Sequence, residues 1–378
     1  MASTSRSTPD TVDPDPSAKA VGSASKLVRG AEDMPPAPTM RDIARATGVS
    51  QSTVSRVLSG TATAVPIADR TRTRVLEAAR QVGYRPNPLA RGLRGSRTML
   101  LGVIVRDITD PFFAGAVEAA SVEASRHGYN IVLGHAHESA DEAVALWAIL
   151  EARHCDAILF LGDLQDRPAL IADLQSQRLP VVALWHGSRE SGFPTVSVDN
   201  QAGISAAVDH LVELGHRRIA FAGRKPLGDI REREEAYLAS LERHGLPSFP
   251  AYRMEASNSF DGGANALERL VSLDDPPSAI VAATDVIASG ILHAAQRRGL
   301  RVPADLSVTG FDDIPFAAFS VPALTTVRMP TQEMVASAVD VAIDTLEGRL
   351  RGGADVHPVL QPELVVRAST GPAPGPGT

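Results

Sequence analysis

The sequence has a single cysteine, Cys155, in 378 residues. One thiol cannot close an intrachain disulfide or supply a multi-cysteine metal site. It precedes the apolar run from Ala157 to Leu161 and reads as a core thiol. No run of eighteen or so apolar residues occurs, so no membrane-spanning helix is expected. The opening stretch, MASTSRSTPDTVDPDPSAKA, has no apolar core of the kind a secretory signal needs, and a cytoplasmic location is expected. Catalytic signatures are absent too. There is no G-x-G-x-x-G after the first strand-like run, no P-loop and no G-x-S-x-G elbow. No local grouping of Ser, His and Asp suggests a triad. His135 and His137 stand two apart with no third clustered ligand in the sequence, so neither a metal nor a cofactor is expected. Residues 1–37 contain no aromatic side chain and are rich in Ser, Thr, Ala, Pro and Asp. Such a segment buries too little surface to offset its chain entropy and is expected to be a disordered tail.

What is present is unevenly distributed. The net charge is −7, which argues against a nucleic-acid binder until the chain is divided. Residues 38–97 carry eleven arginines against Asp42, Asp69 and Glu77, a net of +8, so the other 318 residues carry −15. A small basic head on a larger acidic body points to DNA at one end only. Charge alone is equally consistent with a solvated basic surface.

From residue 98 short apolar, β-branched runs alternate with amphipathic stretches. The runs are Met99–Val105, Asn130–Leu133, Ala157–Leu161, Val181–Leu184, Thr195–Val198, Arg218–Ala222, Ala279–Ala283 and Ser307–Phe311. Helical stretches such as Gly115–His127, Gly203–Leu214, Arg231–Arg243 and Ala264–Val271 lie between them. This alternation specifies parallel sheets covered by helices on both faces. Eight or more strands in such a length suggest two units side by side, with a ligand cleft at the carboxyl ends of their strands.

The head holds the most informative stretch, residues 39–58, TMRDIARATGVSQSTVSRVL. Thr39 can cap a helix by accepting from a backbone N–H two or three residues on. Ile43, Ala44 and Ala46 give that helix an apolar side, and Gly48 supplies the backbone freedom for a tight turn. Ser50 can cap a second helix whose Val54, Val57 and Leu58 face inward. Gln51, Ser52, Thr53, Ser55 and Arg56 remain on its outer face. A helix fits the major groove, where glutamine can pair with adenine and arginine with guanine in bidentate fashion. On these residues alone an ordinary helical hairpin with a polar face stays open.

Several separated motifs occur in order: DIARATGVSQSTVSRVLSG, TRTRVLEAARQVGYRPNPLARGLRG, LGVIVRDITDPFF, VDNQAG, HLVELGHRRIAFAG, RVPADLSVTGFDDIP, PALTTVRMP and PELVVRAST. Together they resemble the LacI/GalR family of bacterial repressors over roughly residues 39–370. The resemblance implies an α/β protein with an N-terminal all-α helix-turn-helix head and hinge helix. A periplasmic-binding-protein-like core of two doubly wound parallel α/β subdomains would follow. The implied divisions are a tail (1–37), the helix-turn-helix (38–83), a hinge helix or linker (84–97), the core (98–370) and a flexible tail (371–378). Within the core, one subdomain would take about 98–198 plus 329–360, the other about 199–328 plus 361–370. One departure stands out. After Gly60 the stretch TATAVPIADRTR runs about three residues longer than the family's usual loop, which leaves the start of the third helix open.

The resemblance also assigns roles. Thr39, Ser50, Thr53 and Ser55 would hold phosphates or position the helix, Gln51, Ser52 and Arg56 would read base edges, and Tyr84 joins the DNA-facing set. The segment NPLARGL, residues 87–93, resembles the hinge helix that orders on the operator. Asn87, Ala90 and Arg91 would line the minor groove, with Leu93 as the wedge at a central base step. As a leucine among Arg91, Gly92, Arg94 and Gly95 it has poor company for a core residue.

In the core, Arg233 and Asp312 match the family's ligand-binding arginine and aspartate, a pair suited to a polyhydroxylated, sugar-like effector. Phe112 and Phe113 would stack on a ring, Phe260 would form the opposite aromatic wall, and Arg106 and Asp107 would lie at the cleft mouth. Thr284 stands where the family commonly has asparagine. Each has a plainer alternative: Arg233 neighbours Glu234 and Glu235 in a charged helix, Asp312 could cap the turn after its strand, and the two phenylalanines could simply pack. The implied partners are double-stranded operator DNA, a small-molecule effector and a second copy of the chain in a homodimer, with no membrane. A sugar-binding transport component would share the cleft but have no use for residues 39–97.

Overall fold

The computed structural model describes residues 38–59, 66–84, 97–137, 139–152, 155–162, 179–185, 192–223, 228–350 and 356–375. The chain divides into two compact units near Asn87. The segment 85–96, with Asn87, Ala90, Arg91 and Leu93, lies outside the described residues, as does 1–37.

The first unit holds α1 (Met40–Thr47), α2 (Gln51–Ser59) and α3 (Asp69–Gln81). Thr39 caps α1 in a capping box with Asp42. Asp42 accepts both the Thr39 backbone N–H (2.9 Å) and its hydroxyl (2.7 Å). This carboxylate also suits the positive end of the helix dipole, and the bonds from Thr39 hold the Asp42 carboxyl below its ordinary range. Gly48 ends α1 at φ +65°, in the left-handed region where a side chain is strained. Ser50 then caps α2 by accepting from the Thr53 N–H at 3.1 Å. Ile43, Val54, Val57, Val75, Ala78 and Ala79 form the buried centre, flanked by Ala44, Leu58 and Tyr84. Ala46, expected on the apolar side of α1, is exposed.

The second unit is built on two six-stranded sheets. The first takes β1 (Leu100–Val105), β2 (Asn130–His135), β3 (Ala157–Leu161), β4 (Val181–Leu184), β5 (Thr195–Val198) and β11 (Val359–Leu360), in the order β11-β5-β4-β3-β1-β2, all parallel. The second takes β6 (Ile219–Gly223), β7 (Arg253–Glu255), β8 (Ala279–Ala282), β9 (Ser307–Asp312), β10 (Thr325–Arg328) and β12 (Glu363–Val365), in the order β12-β10-β9-β8-β6-β7. Only β12 runs antiparallel, against β10. β1 begins one residue later than its apolar run because Met99 has φ +59°, which is incompatible with a strand. The helices are α4 (Pro111–Arg126), α5 (Ala140–Ala152), α6 (Asn200–Glu213), α7 (Gly228–Arg243), α8 (Phe260–Leu270), α9 (Asp285–Arg298) and α10 (Thr331–Leu346).

Strand alternation divides the first sheet's side chains between two cores. Leu101, Val103, Leu159 and Leu161 join the main core, while Ile104, Ile158 and Phe160 join a second with Trp147 and Cys155. This is the two-faced burial a parallel sheet requires. Each fully buried aliphatic side chain contributes about 1.5–3 kcal/mol of transfer free energy. Burial pushes the Cys155 thiol up to about 11, which keeps it an inert core group.

The expected flexible tail is corrected at its start, where residues 371–373 are docked. The Gly371 N–H donates to Ser307 Oγ (3.1 Å), its carbonyl lies 3.1 Å from His216 Nε2, and the Ala373 N–H donates to the Leu214 carbonyl (2.9 Å). A buried imidazole, whose ring nitrogens also meet Ser278 Oγ and Ser307 Oγ, holds the chain here, and backbone polarity outweighs the Gly/Pro composition.

Candidate functional site

Two sites emerge, one in each unit. In the head, Gln51 and Ser52 are exposed at the start of α2, and Thr53, Ser55 and Arg56 are half-buried beside them. Ser50 Oγ lies 2.8 Å from both Ser52 Oγ and Thr53 Oγ1. These hydroxyls rim the helix N-terminus, where backbone N–H groups and the dipole favour anions such as phosphate. Tyr84 is placed differently from its assigned role. It packs against the head's core, with its N–H bonded to the Ala79 carbonyl at 2.9 Å. The third helix, whose start the sequence left open, begins at Asp69.

In the core, helices and loops leave the strand ends of both sheets and meet at a cleft. Arg233 on α7 is the most heavily engaged side chain. Its Nε donates to Asn200 Oδ1 (2.9 Å), its Nη1 to the Ala283 carbonyl (2.6 Å), and its guanidinium lies 3.7 Å over the Phe311 ring. Asp312, at the end of β9, stands 3.6 Å from Arg233 Nη1. Arg233 is therefore not part of a solvated face: it is 2% exposed despite its charged neighbours. Asp312 and Asp313 have φ of +117° and +55°, two successive strained positions. Such positions cost roughly 1–3 kcal/mol each and persist where surroundings over-determine them. Here Asp313 accepts from Arg367 (2.6 Å) and Arg328 (2.7 Å), and the Ile314 N–H donates to buried Asp285 (2.9 Å). Burial pushes the Asp312 carboxyl well above its ordinary value against the pull of Arg233, with Asp285, Asp110 and Asp229 pushing the same way.

On the first sheet's side, Phe113 is buried and Phe112 half-buried, both edge-on to Trp185 at 6.0 and 4.9 Å. The Arg106 guanidinium lies 5.1 Å from the Phe113 ring centroid. Phe113 thus supports the wall, while Phe112 lines an open depression of about 400 Å³ with Asp312, Ile314 and Arg328. Asp107 is occupied in its own turn, accepting the Thr109 N–H (2.9 Å) and hydroxyl (2.7 Å). It also stands 3.4 Å from His135 Nε2, and His137 pairs with Glu142 alongside.

Two assignments are corrected. Phe260 is 56% exposed and forms no wall. Ser259 caps α8, accepting from the Gly262 N–H (3.0 Å), so Phe260 already belongs to the helix and turns outward. The residue that reaches across is Asn258. It donates to Asp110 Oδ2 (2.8 Å) and accepts from the Thr284 hydroxyl (2.7 Å). Thr284 is accordingly the cap of α9 and a support for Asn258. Burial raises the Asp110 carboxyl above its ordinary value, outweighing the bonds from the Phe112 N–H and Asn258.

Sequence reasoning missed Asp110, Trp185, Asn200, Asp229 and Asn258. Only Asp110, directly before Pro111 and two residues before an N–H it caps, carried a readable signal.

Comparisons with known proteins agree with this arrangement. A model of bacterial regulatory proteins of the lacI family matches residues 39–87, and one of a periplasmic binding protein-like domain matches residues 208–370. The HTH-type transcriptional repressor CytR of Escherichia coli (strain K12) is 35% identical over 338 residues, covering 88% of this chain and 96% of that protein. Catabolite control protein A of Priestia megaterium is 33% identical over 305 residues, covering 80% and 90%. Among solved structures, the lac repressor dimer bound to operator and the anti-inducer ONPF matches with a TM-score of 0.79 at 26% identity, covering 88% of this chain and 99% of that one. A complex of the transcriptional regulator CelR with cellobiose matches with a TM-score of 0.65 at 29% identity, with the same coverage.

Proposed function

The chain belongs to the LacI family of bacterial regulatory proteins and is a DNA-binding transcription regulator, not an enzyme, and we propose that it is a cytoplasmic repressor that binds a palindromic operator as a homodimer and is switched by a sugar-like effector. The observation that carries this is the start of α2. Gln51 and Ser52 stand exposed beside the Ser50–Thr53 hydroxyl cluster, on a segment of net charge +8. In this reading Gln51, Ser52 and Arg56 contact base edges, and Thr39, Ser50, Thr53 and Ser55 hold phosphates. Asn87, Ala90, Arg91 and Leu93 engage the minor groove. Tyr84 positions the end of the head from its core.

A palindromic site needs two heads. In the core, Phe316 (66% exposed), Phe319 (83%) and Val321 (87%) share one short segment around the 3₁₀ turn Pro315–Ala318. An apolar surface of this kind supports docking of a second copy, and the lac repressor it resembles is a dimer on its operator. The effector lies in the cleft among Arg233, Asp312, Arg106 and Phe112, in keeping with the cellobiose held by the similar CelR. The effector shifts operator binding only by its differential affinity for the two closure states. Among the described residues, no helix is long and apolar enough to cross a membrane.

Selecting bound sequences from a random duplex pool with the full-length protein tests the reading. An enriched palindrome of about 14–20 base pairs, bound near 10⁻⁸ M or tighter, is expected. Affinity should fall steeply with salt as arginines release counterions. Weak, uniform binding to all sequences would reject the helix-turn-helix assignment.

A further inference from the structure

We propose that the effector is an uncharged polyhydroxylated molecule with one hydroxyl inserted between Arg106 and Asp229, and that the cleft rejects phosphorylated analogues. This rests on the small-molecule reading above and narrows it to a ligand class. Arg106 follows β1 on the first sheet's side, and Asp229 lies in the first turn of α7 on the second. Their nearest atoms, Arg106 Nη1 and Asp229 Oδ1, are 3.9 Å apart, too far for a hydrogen bond. Both side chains are withdrawn from water, at 9% and 15% exposure.

Two buried polar atoms of this pair have no hydrogen-bond partner, Arg106 Nε and Asp229 Oδ1, and on the first sheet's side Trp185 Nε1 has none either. Native interiors rarely leave such atoms unpaired, and one so left asks for a ligand or water. Two are donors and one is an acceptor. A hydroxyl both accepts and donates at a single oxygen, so it can accept from Arg106 Nε while donating to Asp229 Oδ1. An ether or carbonyl oxygen satisfies the arginine alone. A phosphate oxygen, an acceptor only, would meet the Asp229 carboxylate charge to charge.

The rest of the cleft offers an anion little. Arg233 commits its Nε to Asn200, an Nη1 N–H to the Ala283 carbonyl and its face to Phe311, and its Nη2 stands 3.9 Å from Asp229 Oδ2, so its charge is already met by a carboxylate. Helix N-termini are the usual anion sites, yet four of those at the strand ends are filled by the chain itself, and the uncapped start of α10 carries Glu333 in its first turn. Asp110 caps α4, Ser259 caps α8, Thr284 caps α9, and Asp229 occupies the first turn of α7. Asp110 and Asp312 add two more carboxyl groups and no cation. A hydroxyl bridging Arg106 and Asp229 would also join the two sheets across the cleft, beside the existing Asn258–Asp110 bond, and so couples binding to closure.

The test is calorimetric titration of the full-length protein with D-ribose, D-xylose, D-glucose, D-galactose and cellobiose, each monosaccharide beside its phosphate monoester. At least one uncharged sugar should bind, with its monoester at least 100-fold weaker. Asp229→Asn keeps an acceptor oxygen and loses the charge. It should narrow the ratio between monoester and parent sugar at least tenfold. Arg106→Gln should weaken the uncharged sugar at least tenfold, with far-ultraviolet dichroism confirming that both variants are folded. A monoester that binds as tightly as its parent, or a gap unchanged in Asp229→Asn, overturns the inference and leaves the sugar-effector reading standing. If no sugar in either form binds, the sugar-effector reading itself fails, and this inference with it.

Discussion

Arg233→Met is the sharpest probe of the core. Methionine keeps much of the stem's volume and removes the guanidinium. Three things are lost: a charge-assisted bond to Asn200 Oδ1 at 2.9 Å, another to the Ala283 carbonyl at 2.6 Å, and a cation held 3.7 Å over Phe311. Bonds of this kind contribute about 1.5–3 kcal/mol each, and a desolvated cation–π contact about 2 kcal/mol. The variant also leaves Asp312, formerly 3.6 Å from the cation, buried beside an apolar side chain. These losses overlap, so they do not add. Removing one partner of a buried pair costs roughly 3–5 kcal/mol, and that is the expected fall in core stability. Urea denaturation followed by fluorescence of the buried Trp147 and Trp185 measures it directly. In a thermal scan the same loss should appear as a fall of roughly 6–20 °C for a domain of this size. Adding Asp312→Asn to Arg233→Met should restore at least about 1 kcal/mol, because neighbours in one network couple. A single variant within about 1 kcal/mol of the parent, with no coupling in the double, would refute the view that this guanidinium organises the cleft.

Three further perturbations have defined outcomes. A Cβ at Gly310 would lie 2.1 Å from Asp285 Oδ1, so Gly310→Ala must displace a buried carboxylate and should destabilise the core by about 3 kcal/mol or more in the same urea assay. Burial pushes the Asp285 carboxyl up to about 7, against the bonds it receives from Thr326 and Ile314. The folded core therefore holds a proton that the unfolded chain releases near pH 4, so this contribution is complete below about pH 4 and is lost as pH rises through 7. At about 1.4 kcal/mol per pH unit the effect reaches the order of 4 kcal/mol, and Asp285→Asn should flatten the stability profile between pH 4 and 8. Gly48→Ala meets no atom within 4 Å, so its cost is backbone strain alone at φ +65°. About 1 kcal/mol should be lost, read as faster hydrogen exchange in α1 and α2 with the core unchanged.

The elements that the sequence disclosed are those whose physics is local. Apolar alternation located β1 to β6, β8 and β9, because a buried parallel strand must be apolar along its length. The turn at Gly48 and the cap at Ser50 were legible for the same reason. β7, β11 and β12 are two or three residues long, too short for periodicity to register. The cleft was legible where one side chain carries an unusual charge in an apolar setting, as Asp312 does at the end of β9. It was illegible where function depends on a bond between distant segments. Asn258 and Asp110 are 148 positions apart, and nothing near either residue announces the other. Phe260 misled because residue type was given more weight than geometry. A helix cap at Ser259 turns the next side chain away and leaves the cleft to the residue before it.

The two sheets are each completed by a strand made late. Ser197 on β5 pairs with Val359 on β11, and Thr326 on β10 with Val365 on β12. A ribosome adding about 5–20 residues per second reaches Val359 roughly 10–30 s after Ser197. During that interval the β5 edge of the first sheet has no β11 to cover it, and β10 waits more briefly for β12. Unpaired strand edges are templates for pairing with other chains. The nascent protein therefore passes through a window in which its first sheet is assembled but open at one side. Slowing elongation between these strands should increase aggregation more than the same delay placed within the head.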